Sequence, residues 1–154
     1  MNIVLFRIDE RLIHGQVIQG WRRLEYHHII IFNDRIADNE MEKQLQVIGV
    51  PEGITVTFAR RDELSKVIKK ENISSKNILF LVESPADALY AIKNGVKVDK
   101  VNIGILTKKS PRIHQINNAV FVSDEEMDIL KEISDMGIIV EAQGVPTDEP
   151  VVLF

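Results

Sequence analysis

The residues best suited to do chemistry lie together near the amino terminus, in Arg7-Ile8-Asp9-Glu10-Arg11-Leu12-Ile13-His14-Gly15-Gln16-Val17. His14 follows Arg11 by three positions and directly precedes a glycine. A neutral imidazole is a nucleophile that could attack a phosphoryl group and hold it covalently. Arg11 offers a planar, permanently charged fork for phosphate oxygens. Gly15 lets backbone approach a ligand with no Cβ in the way. Unpaired N–H groups at the start of a following helix favour an anion at the same place. Asp9 could orient Arg11 or the second imidazole nitrogen, and Arg7 sits further back on a strand. These residue types describe a phosphate site with an imidazole inside it. His14 is the reacting group, and Arg11, Gly15 and Asp9 are the phosphate-binding set.

Plainer readings use the same residues. A histidine at a strand–helix junction can be a polar loop residue or a cap partner, and Arg11 with Asp9 can be a surface ion pair worth little. The other histidines point to no metal. His27 and His28 are adjacent, so on a strand they face opposite sides, and His114 lies in a basic loop. No His-x-x-x-His spacing, GxGxxG fingerprint or phosphate-binding Walker loop occurs, so neither a metal nor a nucleotide site is expected. Ser84 and Ser123 read as helix caps.

The loop must be held by what surrounds it. An apolar strand, Ile3 to Ile8, runs in, and an amphipathic helix, about Gln16 to Leu24, runs out. Further strands are expected at His28–Phe32, Ile54–Phe58, Asn77–Val82, within Val98–Ile105, at Ala119–Val122 and at Ile138–Ala142. Helical patterns lie between them. Asn39 precedes Glu42 in a capping-box arrangement, and Ala37, Met41, Leu45 and Ile48 recur at helical spacing, with Pro51 and Gly53 ending the element. Asp62 is expected to cap a short helix carrying Leu64, Val67 and Ile68. Ser84-Pro85 with Asp87 starts another, which Gly95 ends. Ser123 and Glu126 form a capping box for a helix carrying Ile129, Leu130, Ile133 and Met136. Leu106 to Asn118, with Lys108, Lys109, Arg112 and His114, reads as a basic surface loop, and Val145 to Phe154 as an extended tail. The alternation predicts an α/β fold: a three-layer, open, mainly parallel sheet with helices on both faces. In such sheets ligands bind beyond the carboxyl ends of the strands, where the His14 loop would lie.

Bulk properties narrow the function. A chain of 154 residues suggests one domain, residues 1–154. The formal charge of −4 argues against a nucleic-acid partner. Without cysteine there is no disulfide framework or thiol nucleophile. No apolar run reaches the roughly 20 residues of a membrane span, and no signal-peptide pattern opens the chain. A cytoplasmic protein is expected.

The opening motif resembles the signature of the IIB components of the mannose/fructose/sorbose family of the bacterial sugar phosphotransferase system. Asn33-Asp34 with Ala37-Asp38-Asn39-Glu40, Val101-Asn102-Ile103-Gly104 and Val145-Pro146 extend the likeness over nearly the whole chain. The resemblance implies a phosphocarrier. His14 would accept a phosphoryl group, on Nδ1, from a phosphohistidine of the IIA component. It would pass the group to a sugar held by the membrane components IIC and IID. Arg11 would contact the phosphoryl group. No metal or organic cofactor is implied, the protein would sit at the membrane permease, and a homodimer is an allowed assembly. Relatives often continue after Gly104 with a second glycine and a Met-His-type pair, where this chain reads Ile105-Leu106-Thr107-Lys108-Lys109. Two other functions use the same loop. A regulatory module could sense a phospholigand without covalent chemistry, needing Arg11 but not His14. A sugar-phosphate isomerase could use His14 as acid or base, with Asp9 or Asp34 as the second group.

Overall fold

The computed structural model describes residues 1–70 and 75–154. Six strands are parallel: β1 (Asn2–Ile8), β2 (His28–Phe32), β3 (Thr55–Ala59), β4 (Asn77–Val82), β5 (Lys100–Ile103) and β8 (Ile139–Ala142). A seventh, β9 (Val151–Val152), pairs antiparallel with β8 at the edge. The order is β3-β2-β4-β1-β5-β8-β9. The expected α/β architecture is therefore present, and the extended tail closes the sheet as a strand. The residues of Ala119–Val122 do not join this sheet. Instead β7 (Phe121–Val122) pairs with β6 (His114–Gln115), which lies inside the expected loop, in a separate two-stranded ribbon.

Central strands covered on both faces must be apolar on both. β2 and β4 meet this demand: Ile29, Ile30, Ile31 and Leu79, Phe80, Leu81 are fully buried. Alternate side chains serve opposite layers. Leu5, Ile29, Ile31, Leu79 and Leu81 pack with Val17, Ile18 and Trp21 on the face of α1 (Gly15–Gly20). Phe6, Ile8, Ile30, Phe80 and Val82 pack on the other face. There they meet α4 (Leu64–Lys69), α5 (Pro85–Lys93) and α6 (Asp124–Asp135). The caps of α5 and α6 form as expected: Ser84 accepts from the Asp87 amide, and Ser123 and Glu126 make a full capping box. Among the described residues no helix is long and apolar enough to cross a membrane.

Three local expectations fail for physical reasons. The row Met41, Leu45 and Ile48 faces solvent, at 71%, 61% and 78% exposure. Its helix, α3 (Glu40–Val47), is preceded by the short α2 (Asp34–Ala37), whose Ile36 fills the core position instead. Asp62 caps nothing; it pairs with Arg60, and α4 begins after a turn of 3-10 helix at Arg61–Glu63. The amphipathic helix after His14 is short, ending at Gly20, with a 3-10 turn at Arg22–Leu24.

His28 illustrates a structural histidine. It is buried on β2, with Nε2 2.8 Å from Thr57 Oγ1 and Nδ1 2.5 Å from Thr55 Oγ1 on β3. Burial lowers its pKa below the ordinary value, and Lys76 and Lys70 lower it further. The unfolded chain then binds a proton that the folded chain refuses. Stability is full above the unfolded pKa of about 6.5 and declines as pH falls from there towards the folded value. Urea midpoints measured between pH 7.5 and 5.5 should fall more steeply for the wild type than for His28→Gln. Equal slopes would remove His28 from the acid response.

Candidate phosphoryl-transfer site

β1 and β5 lie side by side, yet their onward connections leave in opposite directions, β1 towards β2 and β5 towards β8. Such a switch point opens a crevice beyond the strand ends. The loop after β1 fills it. Asp9 N still donates to Val82 O at 2.9 Å and Glu10 N to Ile105 O at 3.0 Å, so the loop springs from a fully paired strand. The chain then turns tightly. Leu12 N donates back to Asp9 O at 2.9 Å, and Leu12 adopts φ 60°. That left-handed conformation costs roughly 1–2 kcal/mol in a non-glycine residue. Burial of the Leu12 side chain, 1% exposed among the residues beneath α1, offsets it with about 1.5–3 kcal/mol. Gln46 of α3 adds a brace, its Oε1 accepting from Ile13 N at 2.8 Å.

This turn brings His14 back beside Arg11. His14 is exposed and is the N-cap of α1, Nδ1 accepting from Gln16 N at 3.2 Å. Arg11 Nη1 is 3.1 Å from the same nitrogen. An arginine only donates, so Nδ1 carries the lone pair and the neutral ring carries its proton on Nε2. The Gln16 bond that caps α1 and the Arg11 contact thus select the same tautomer. Arg11 is aimed from below. Its Nε donates to Asp9 Oδ1 at 3.0 Å and its Nη2 to Asp9 Oδ2 at 2.9 Å, leaving Nη1 for His14 and for Gln16 Oε1 at 3.2 Å.

Asp9 is fully buried. Its oxygens are taken by Arg11 and, on Oδ2, by Arg7 Nη2 at 3.2 Å. The Arg11–Asp9 pair is therefore no surface ion pair. As a buried anion under Arg11, Asp9 holds the guanidinium, one of the two orienting roles its place in the loop allows. Gly15 opens α1, and a Cβ added there would meet nothing within 4 Å, so no close contact in the structure demands glycine. Arg7, far from marginal, is fully buried over the Trp21 ring at 5.5 Å. Burial lowers its pKa while Asp9 raises it, and an arginine stays cationic at neutral pH. Asp9 directly follows β1, two positions after Arg7, and both side chains are buried together. Two opposite charges this close to an apolar strand are the signal the sequence offers for this buried network. Asn102 and Gly104, which complete it from β5 and the residue after it, carried no such signal.

The loop at Leu106–Asn118 borders the site. An open cleft of about 450 Å³ beside Arg11 is lined by Glu10, Glu83, Ser84, Thr107, Lys109 and Arg112. It is less basic than its composition suggests. Arg112 is bound by Glu126 (Nε to Oε1, 2.9 Å) and Glu10 (Nη1 to Oε2, 3.1 Å), and His114 pairs with Asp124, leaving Lys108 and Lys109 exposed.

The chain matches the family described as "PTS system sorbose subfamily IIB component" over residues 3–153. It is 31% identical to the fructose-specific EIIB component of Bacillus subtilis over 149 residues, 96% of this chain and 91% of that one. It is also 31% identical to the mannose-specific EIIAB component of Escherichia coli K12, over 96% of this chain but 46% of that longer protein. Among solved structures it resembles the IIB domain of the sorbose permease of Klebsiella pneumoniae. The TM-score is 0.89 at 28% identity, covering 98% of this chain and 93% of that one. The chain belongs to the sorbose-subfamily IIB components, the phosphotransferases that carry phosphoryl groups for sugar uptake in the mannose/sorbose family of the phosphotransferase system.

Proposed function

We propose that His14 Nδ1 is the atom that carries the phosphoryl group, with Arg11 and the amides at Gly15 and Gln16 as its binding set. The observation that supports this most is the pair of donors on Nδ1, Arg11 Nη1 and Gln16 N–H. They hold the ring in the tautomer whose Nδ1 lone pair is free of a proton. When a phosphoryl group arrives from a phosphohistidine on the IIA component, that lone pair forms the new P–N bond. The donor's P–N bond breaks, and its electron pair stays on the donor imidazole. The two N–H groups, released from Nδ1, then stand beside the equatorial oxygens and stabilise the charge developing there. Transfer onward reverses the roles. A sugar hydroxyl attacks phosphorus, the P–Nδ1 bond breaks, the pair returns to Nδ1, and the hydroxyl proton leaves to water.

Exchange between two imidazoles leaves bond type unchanged, so the protein supplies positioning and fixed charge rather than energy. Exposure of His14 lets both partners reach it, and the cleft beside Arg11 leaves room for a docked surface or a sugar. The partners are a IIA phosphocarrier and the membrane components IIC and IID, with the protein in the cytoplasm at the permease. The joined A and B components in the name of the E. coli relative support the first of these. The matched relatives are named for different sugars: fructose, mannose, N-acetylgalactosamine and sorbose.

Incubation with phosphoenolpyruvate, enzyme I, HPr and a charged IIA protein, followed by intact-mass measurement, tests the reading. The wild type should gain one phosphoryl group and His14→Asn none. Asparagine keeps a cap for α1, so loss of the group reports chemistry rather than helix fraying. Phosphorylation of His14→Asn at the wild-type level would place the carrier atom on another residue.

A further inference from the structure

Arg11 and Asp9 taken alone form a neutral pair, a poor neighbour for a dianionic phosphoryl group. Arg7 changes that count. It shares the same carboxylate, through Nη2 at 3.2 Å and Nε at 3.3 Å, so two guanidiniums surround one buried anion. The cluster keeps one net positive charge, and Arg11 is the member that reaches His14. Arg7 is itself immobilised. Its Nη1 donates to Asn102 Oδ1 at 2.5 Å and to Gln143 O at 2.9 Å, and its Nη2 to Gly144 O at 2.9 Å. With the two bonds to Asp9, all five N–H donors are placed. The seat exists because residue 104 has no side chain: a Cβ there would overlap the Arg7 guanidinium and lie 2.5 Å from Asp9 Oδ2.

We propose that Arg7, seated by Asn102 and Gly104, is a positioning residue for transfer. It fixes the Asp9 carboxylate so that Arg11 points Nη1 at His14 Nδ1, and it keeps the site cationic although Asp9 lies beneath it. The inference rests on the reading of His14 as the carrier. The competing role is mechanical, since Arg7 also ties β1 to β5 and to the end of β8.

The test uses the full chain as wild type, Arg7→Met, Arg7→Lys, Asn102→Leu and Gly104→Ala. Asn102→Leu is the mild member. Asn102 Nδ2 has no hydrogen-bond partner among the described residues, so leucine removes only the acceptor offered to Arg7. Initial rates of phosphorylation by charged IIA are measured over a range of donor concentrations, well below each variant's unfolding midpoint. Long-range 1H–15N NMR of the His14 imidazole reads the tautomer directly. Arg7→Met and Gly104→Ala should lower kcat by about tenfold or more, with KM for the donor nearly unchanged. Asn102→Leu should lower kcat in the same sense but less, and Arg7→Lys should recover part of the loss because it keeps the charge. In the variants with reduced kcat the His14 nitrogen shifts should move towards the pattern of a free imidazole. Folded variants with wild-type kcat and wild-type imidazole shifts would make Arg7 a strand tie only and overturn the proposal. If the wild type takes no phosphate, the carrier reading fails. The imidazole shifts of the variants still decide whether Arg7 fixes Arg11 on His14: unchanged shifts overturn it and altered shifts support it.

Discussion

Asp9→Ala should lower the stability of the fold by about 3–5 kcal/mol, among the largest effects of any single substitution in this chain. The carboxylate is fully buried and receives hydrogen bonds from both Arg7 and Arg11. Its removal leaves the Arg7 guanidinium buried with carbonyl and amide oxygens as its remaining partners and no counter-charge. Arg7 cannot escape by losing a proton near neutral pH, nor by rotating to water from a strand covered by α1 and Trp21. Urea unfolding followed by circular dichroism should show the full loss, with a melting point lower by on the order of 10 °C. A loss under about 1 kcal/mol would mean that the cluster relaxes or admits water, contrary to the closed network described above.

Arg11→Ala should act on rate rather than on folding. Its side chain is 22% exposed, and Asp9 keeps Arg7 as counter-ion when Arg11 is gone. The transfer rate should fall by about 10²–10³, the usual cost of removing one preorganised donor from developing charge. Arg11→Lys should recover only a small part of it. Lysine carries the charge on one nitrogen and cannot hold both oxygens of Asp9 while a third nitrogen faces His14. Single-turnover phosphorylation by charged IIA separates these cases. A lysine variant at full rate would show that charge alone, without the aimed fork, suffices.

Much of this was legible from residue order, for reasons that particular residues show. The strands at His28–Phe32 and Asn77–Val82 carry continuous apolar runs because helices cover both faces, and the short length of each run suits a buried strand. The caps at Ser84 and Ser123 are local events, so the sequence around each suffices. Failures arose where distant residues decide. Met41, Leu45 and Ile48 have helical spacing, but Ile36 on the preceding short helix takes the core position, so their row points outward. Arg112 counts as a basic charge until Glu126 and Glu10 come within reach across the fold. Strand order could not be read at all, since pairing of β1 with both β4 and β5 is a long-range choice.

The site divides along the same line. His14, Arg11 and Gly15 are contiguous and carry their chemistry in their types, so the loop announces itself. Asp9 could be grouped with the phosphate-binding set and given either of two orienting roles, on Arg11 or on the second imidazole nitrogen. Its buried seat under Arg11 selects the first. Gly104 belongs to the Val101-Asn102-Ile103-Gly104 run that carries part of the family likeness, but its sequence neighbours do not say why a glycine stands there. Its lack of a side chain matters because the Arg7 guanidinium, from a strand nearly a hundred residues earlier, occupies the space.

The position of the phosphoryl group on the His14 ring tests this reading of the site most directly. With 15N-labelled histidine in the phosphorylated full chain, 31P and long-range 1H–15N NMR should place the P–N bond on Nδ1 of His14. Nε2 should keep its proton, as the donors from Arg11 and Gln16 require. A phosphoryl group on Nε2, on any other residue, or none on a chain given a demonstrably charged IIA donor would contradict it. The last outcome would move the weight to a module that senses a phospholigand without holding it covalently.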